Sequence, residues 1–156
     1  MRRLFFLTLG MFTVGSSSFM IAGLLPQIGQ TIGQPISITS QGITAFGLTY
    51  LFSAPLFSIA FANKSSKPIL QLALTVFLLG NLITLYSESF VAFILGRVLT
   101  GLGAGIFNPL CVSIAIQLGE QTAKGRVLSL VWGASSAGAV FGVPFGIYLS
   151  SQFDWR

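Results

Sequence analysis

Arg97 carries the strongest chemical signal in this chain. It is the only formally charged side chain within any of the long apolar runs, near the start of the one from Phe90 to Leu118. That places it roughly 10 Å below the membrane surface at about 1.5 Å per residue. An arginine deep in a helix costs about 2.5–3.5 kcal/mol on insertion scales and usually faces a cavity or a partner. Its long stem also lets the charge reach the headgroups, so both placements are open. The guanidinium keeps its proton at ordinary pH. It can orient or repel a proton carrier but cannot be one.

The other reactive side chains are sparse. Glu88, Glu120 and Asp154 are the only acids, and all three fall between the runs. No histidine is present, which removes Ser-His and Cys-His catalytic pairs and any His-bearing metal site within the chain. The single cysteine, Cys111, cannot close an intrachain disulfide. Enzymatic activity, a metal and a cofactor are therefore not expected. Neutral polar groups remain: Ser16, Ser17 and Ser18 in the first run, Thr49 and Tyr50 in the second, Asn81 in the third, Asn108 in the fourth. In lipid such groups tie helices together or line a wet cavity, and a tie averages only about 0.6 kcal/mol. Asn108 immediately precedes Pro109 and could also satisfy backbone groups freed by that proline.

Glycine spacing supplies the remaining signal. In Gly138-Ala-Val-Phe-Gly142-Val-Pro144-Phe-Gly146 the glycines recur every fourth residue, on one face of a helix. Where water cannot drive helices together, such a stripe admits another backbone closely. Gly101-Leu-Gly103-Ala-Gly105 has the look of a phosphate-binding loop. Such loops need a strand before them and a turn into a helix, whereas both flanks here continue one apolar run. Small-residue packing is the expected role.

The elements that must hold these residues are membrane spans. Hydrophobic residues make up 53% of the 156 and charged residues 7%, against about 25% charged in soluble domains. Mean hydropathy is +0.87. The net charge of +5 does not indicate nucleic acid, because the basic residues form no face and lie between apolar blocks. A spanning helix needs about 20 apolar residues. Five blocks qualify: 4–25, 43–61, 69–86, 90–118 and 127–150. The first is too long for the apolar region of a secretory signal and is read as retained. Arg2 and Arg3, Lys64 and Lys67, and Lys124 and Arg126 fall on one side; an uncharged 27–41 connection and Ser87-Glu88-Ser89 fall on the other. An excess of Lys and Arg marks the cytoplasmic side. The expectation is an all-α polytopic protein of the plasma (inner) membrane, with its N-terminus in the cytoplasm and its C-terminus outside.

With these motifs in place, the sequence resembles the N-terminal part of a major facilitator superfamily transporter, in the branch of drug–proton antiporters and sugar or purine efflux permeases. Gly138 through Gly146 resembles the antiporter signature of the fifth helix. Arg97-Val-Leu-Thr-Gly101-Leu-Gly-Ala-Gly105 resembles the fourth-helix motif, and Asn63-Lys64-Ser-Ser-Lys67 falls where the family carries its cytoplasmic loop motif. Departures are visible. Ile59 stands for the loop motif's glycine, Asn63 for its acid and Lys64 for its arginine; Val143 replaces the glycine before the signature proline; Ser18 stands where many relatives have an acid.

The resemblance implies a fold of twelve helices in two halves, of which this chain would hold five, ending where a sixth would begin. It implies proton-coupled efflux of a small organic solute. Arg97 would serve coupling, and Gly101 and Gly105 helix packing. Gly138, Gly142, Pro144 and Gly146 would form a bending interface against the other half, and so stand without a partner in this chain. Asn63, Lys64 and Lys67 would belong to a cytoplasmic gate, and Ser18, Tyr50 and Asn108 to the solute cavity. The implied partners are the lipid bilayer, the solute, and the other half or another membrane protein. The alternative function is an assembly or regulatory protein that docks through the glycine stripe.

Overall fold

In lipid every backbone N–H and C=O must find its partner internally, and long apolar runs therefore become helices. The computed structural model describes residues 2–60, 65–118 and 124–152, and these form six helices: α1 (Arg2–Ile32), α2 (Ile36–Thr39), α3 (Gln41–Ala60), α4 (Ser66–Leu85), α5 (Phe90–Leu118) and α6 (Lys124–Gln152). The chain is an all-α polytopic membrane protein. Stretches within α1, α4, α5 and α6 are long and apolar enough to cross a membrane, and α3 adds a helix of 20 residues.

Helix ends follow local chemistry. α1 continues through Pro26, which is exposed, to Ile32. It stops because Gly33 takes φ 66°, a left-handed conformation that costs glycine nothing. The Gln34 N–H then donates to the Gly29 carbonyl at 2.9 Å, and that of Gly33 to Gln30 at 3.4 Å, the paired closure of a glycine C-cap. Pro35 opens the short α2, which sequence periodicity did not disclose. At the far end of α4 the Ser87 hydroxyl donates to the Thr84 carbonyl at 2.7 Å, and Ser89 Oγ accepts from the Ala92 N–H to start α5.

Packing is organised around α5, which lies against α3 and α4, while α1 pairs with α6. Neighbours advance together along α1 and α6 (Phe12 by Gly138, Ser16 by Gly142, Met20 by Gly146) and along α3 and α5 (Phe46 by Gly101, Tyr50 by Gly105). They advance in opposition along α4 and α5 (Thr84 by Gly96, Gly80 by Thr100, Phe77 by Gly103), and along α1 and α5 (Leu7 by Cys111, Gly10 by Phe107). So α1, α4 and α6 run one way and α3 and α5 the other, the alternation that successive bilayer crossings require. One core joins Met11 and Val14 of α1, Phe77 of α4, Phe107 and Cys111 of α5 and Val131 of α6. A second seats Ile21, Leu24 and Ile28 of α1 on Phe93 of α5.

The outer surface has the inverse of a soluble pattern. Ile59, Leu51, Val140 and Phe141 are exposed, whereas Arg97, Thr100 and Asn108 are buried. Large exposed apolar patches are rare on soluble monomers and mark a membrane or partner surface.

Candidate functional site

The seam between α3 and α5 gathers most of the predicted chemistry. On α5, Arg97, Gly101 and Gly105 recur every fourth residue; on α3, Gly42, Phe46 and Tyr50 do the same, and the two series lie side by side. A Cβ on Gly101 would meet the Phe46 backbone, and one on Gly105 would lie 2.7 Å from the Tyr50 carbonyl oxygen and against the Ser53 hydroxyl. Only glycine lets the backbones come this close. Both glycines thus lie where α3 approaches α5 closely, and the apparent phosphate-loop pattern is continuous helix.

Arg97 is 1% exposed. Its side chain turns inward instead of reaching the headgroups. Nε donates to the Gly42 carbonyl across a long 3.4 Å, and the guanidinium lies over the Phe46 ring, 4.6 Å from its centroid. A desolvated contact of this kind is worth about 2 kcal/mol. Phe46 in turn stacks on Tyr50, with centroids 6.0 Å apart, and Asn108 Nδ2 donates to Tyr50 Oη at 3.2 Å. A continuous column thus runs from the Gly42 carbonyl through Arg97, Phe46 and Tyr50 to Asn108. Asn108 Oδ1 is buried with no partner among the described residues. Asn108 therefore turns to α3 and not to the carbonyls freed by Pro109.

The charge in this column meets uncharged partners. Glu88 is the one acid among the described residues, and it is exposed; Glu120 and Asp154 lie outside them. Arg97 is thus a fixed cation held by a π face and a carbonyl, not one half of an ion pair with Glu88.

Ser18 is not brought into the column by any hydrogen bond of its own, since its hydroxyl donates to the Val14 carbonyl at 2.6 Å. Its neighbour Ser17 donates to Asn81 Oδ1 at 2.6 Å and ties α1 to α4. Lys67 is exposed at the start of α4, and Asn63 and Lys64 lie outside the described residues. Gly42 and Phe46 escaped the sequence reading. The signal that could have found them is their period of four, matching that of Arg97, Gly101 and Gly105.

The glycine stripe of α6 corrects one expectation. It does not stand without a partner, because α1 of the same chain covers it. A Cβ on Gly138 would strike the Phe12 carbonyl oxygen; one on Gly142 would sit 2.8 Å from Ser16 Cα; one on Gly146 would meet the Met20 side chain. The small faces of two helices fill each other, so the stripe offers no docking face to another protein. Pro144 is separated from the glycines and is exposed.

The Tyr50–Asn108 hydrogen bond gives a modest prediction. Tyr50→Phe is expected to cost about 0.6 kcal/mol, and the same change made in Asn108→Ala is expected to cost nothing further. A double-mutant cycle of unfolding in detergent checks this coupling.

Among the described residues, long apolar helices enclose a buried cation and a polar seam, the make-up of a polytopic membrane protein. The Major Facilitator Superfamily model matches residues 7–156, and the chain belongs to this family. It is similar to the MFS-type transporter YwfA of Bacillus subtilis, 31% identical over 96% of this chain and 36% of that protein. It is also similar to the inner membrane transport protein YdhP of Escherichia coli K12, 24% identical over 96% of this chain and 39% of that one. A triacylglyceride transporter of Mycolicibacterium smegmatis is 28% identical over 88% of this chain and 24% of that one. The chain spans 36–40% of the length of the first three Bacillus relatives that it matches.

Proposed function

We propose that this chain is the N-terminal part of an efflux transporter, which moves a small organic solute across the plasma (inner) membrane by alternating access, coupled to protons. Family membership supports transport. The observation that carries the reading further is the buried Arg97, held over Phe46 on a seam that ends in Tyr50 and Asn108. Burying a charge in a bilayer is costly enough to mark a functional position. In this reading Arg97 orients the coupling machinery, and Tyr50 and Asn108 meet the solute. With no carboxylate or histidine in the spans, the titrating group comes from the part of the transporter beyond the matched region.

The basic residues support an N-terminus in the cytoplasm and a C-terminus outside. Asn63, Lys64 and Lys67 then lie at a cytoplasmic gate. The paired faces of α1 and α6 provide a packed element that rocks as a unit, with Pro144 as a bending point.

Everted membrane vesicles containing the intact transporter test this. With the lumen acidified, one member of a panel of drugs, sugars and nucleobases is expected to accumulate, and nigericin is expected to release it. Accumulation that survives collapse of the proton gradient would remove proton coupling. Solute movement only in the opposite sense would remove efflux.

A further inference from the structure

A second feature lies away from the α3–α5 seam. Where α1 and α6 separate near their N-terminal ends, they leave an open groove of about 630 Å³, lined by Leu4, Phe5 and Thr8 of α1 and by Leu130, Gly133 and Ala137 of α6, among others. Its two hydroxyls are turned back on their own helices: Thr8 Oγ1 donates to the Phe5 carbonyl at 2.8 Å and Ser129 Oγ to that of Gly125 at 2.8 Å. The groove therefore offers almost no hydrogen bonding and suits hydrocarbon. Its rim differs. Arg126 lies one turn before Leu130 on the same face of α6, because positions 126, 130, 133 and 137 follow the helical repeat. It is exposed. Cationic side chains at a membrane boundary attract anionic headgroups.

We infer that this groove binds an anionic phospholipid, its acyl chain lying between α1 and α6 and its headgroup held at Arg126. The occupant follows from charge complementarity at the rim combined with apolar walls. A polar solute would find no partner along the walls, and a zwitterionic lipid would gain less at the rim.

The test places a fluorescent reporter in the groove: Leu130→Trp in the full chain carrying Trp132→Phe and Trp155→Phe, reconstituted in vesicles. Brominated phosphatidylglycerol is expected to quench it at about fivefold lower mole fraction than brominated phosphatidylcholine, the advantage of one arginine near an anionic headgroup. Arg126→Gln is expected to erase that difference. Equal quenching by both lipids in the parent, or a preference that survives Arg126→Gln, would overturn the proposal. So would the absence of quenching by either lipid, since other helices or a second copy would then cover the groove. Should the reporter chain fail to fold, native mass spectrometry of the unaltered chain from mixed-lipid nanodiscs decides: retained phosphatidylglycerol that is lost in Arg126→Gln supports the site, and equal retention of both lipids removes it.

Discussion

Arg97→Ala is expected to lower solute flux by tenfold or more while leaving the folding stability of the protein nearly unchanged. The two effects separate because opposing energies meet at this residue. Removing the side chain forfeits the contact with Phe46, worth about 2 kcal/mol when desolvated, and the long hydrogen bond to Gly42. It also removes the cost of holding a charge in the membrane, about 2.5–3.5 kcal/mol. These sums are similar, so the unfolding midpoint in detergent should hardly move. Flux has no such compensation, since a tenfold loss needs only about 1.4 kcal/mol at the transition state.

Arg97→Lys sharpens the test. Lysine keeps the charge but loses the planar group that stacks on an aromatic face. If the Phe46 contact positions the cation, flux stays low in Arg97→Lys; full rescue by lysine would show that charge alone matters. Flux that survives Arg97→Ala would remove the residue from the transport machinery.

The second large effect is expected at the α1–α6 contact, and it is one of stability. Gly142→Val places a Cβ against the Ser16 Cα, and Gly138→Val places one against the Phe12 carbonyl oxygen and within 2.9 Å of the Ser16 backbone nitrogen. Backbone atoms cannot rotate away as a side-chain tip can, so the helices must part. Overpacking of this kind costs about 1–3 kcal/mol. Gly146→Val meets the flexible Met20 thioether instead and should cost less. Gly133→Ala provides the control. Nothing lies within 4 Å of its added Cβ, and alanine is favoured over glycine within a helix by about 0.5–1 kcal/mol. Thermal unfolding in detergent should thus rank Gly138→Val and Gly142→Val well below the parent, Gly146→Val between them and the parent, and Gly133→Ala at or above it. Equal midpoints across the series would mean that α1 does not occupy the stripe.

These two cases show how far the residues could be read in advance. That Arg97 is exceptional is legible, because a charge in an apolar run stands out against its neighbours. Its aim is not. Snorkelling and burial share the same sequence, and only the position of Phe46 on another helix separates them. The glycine stripe was legible as a crossing, because a period of four puts small residues on one helix face. Its partner is not legible, since Gly15 and Gly23 of α1, which meet Ser135 and Ile147 of α6, lie eight residues apart and form no such period. Asn108 has Pro109 as its neighbour in sequence, yet it hydrogen-bonds Tyr50 on α3.

The amino-acid sequence by itself determined that this chain is helical, membrane-embedded and a member of its family. Each of these follows from local composition and motif: a run of apolar residues in lipid has to satisfy its backbone within itself. The tertiary structure decided which helix faces which. Between two lipid-covered helices there is little hydrophobic preference, since lipid tails are as apolar as the side chains they replace. Partner choice rests on the shape of small residues and a few polar ties, and these exist only once distant segments lie together. For that reason α1 fills the α6 stripe, and Arg97 ends over Phe46.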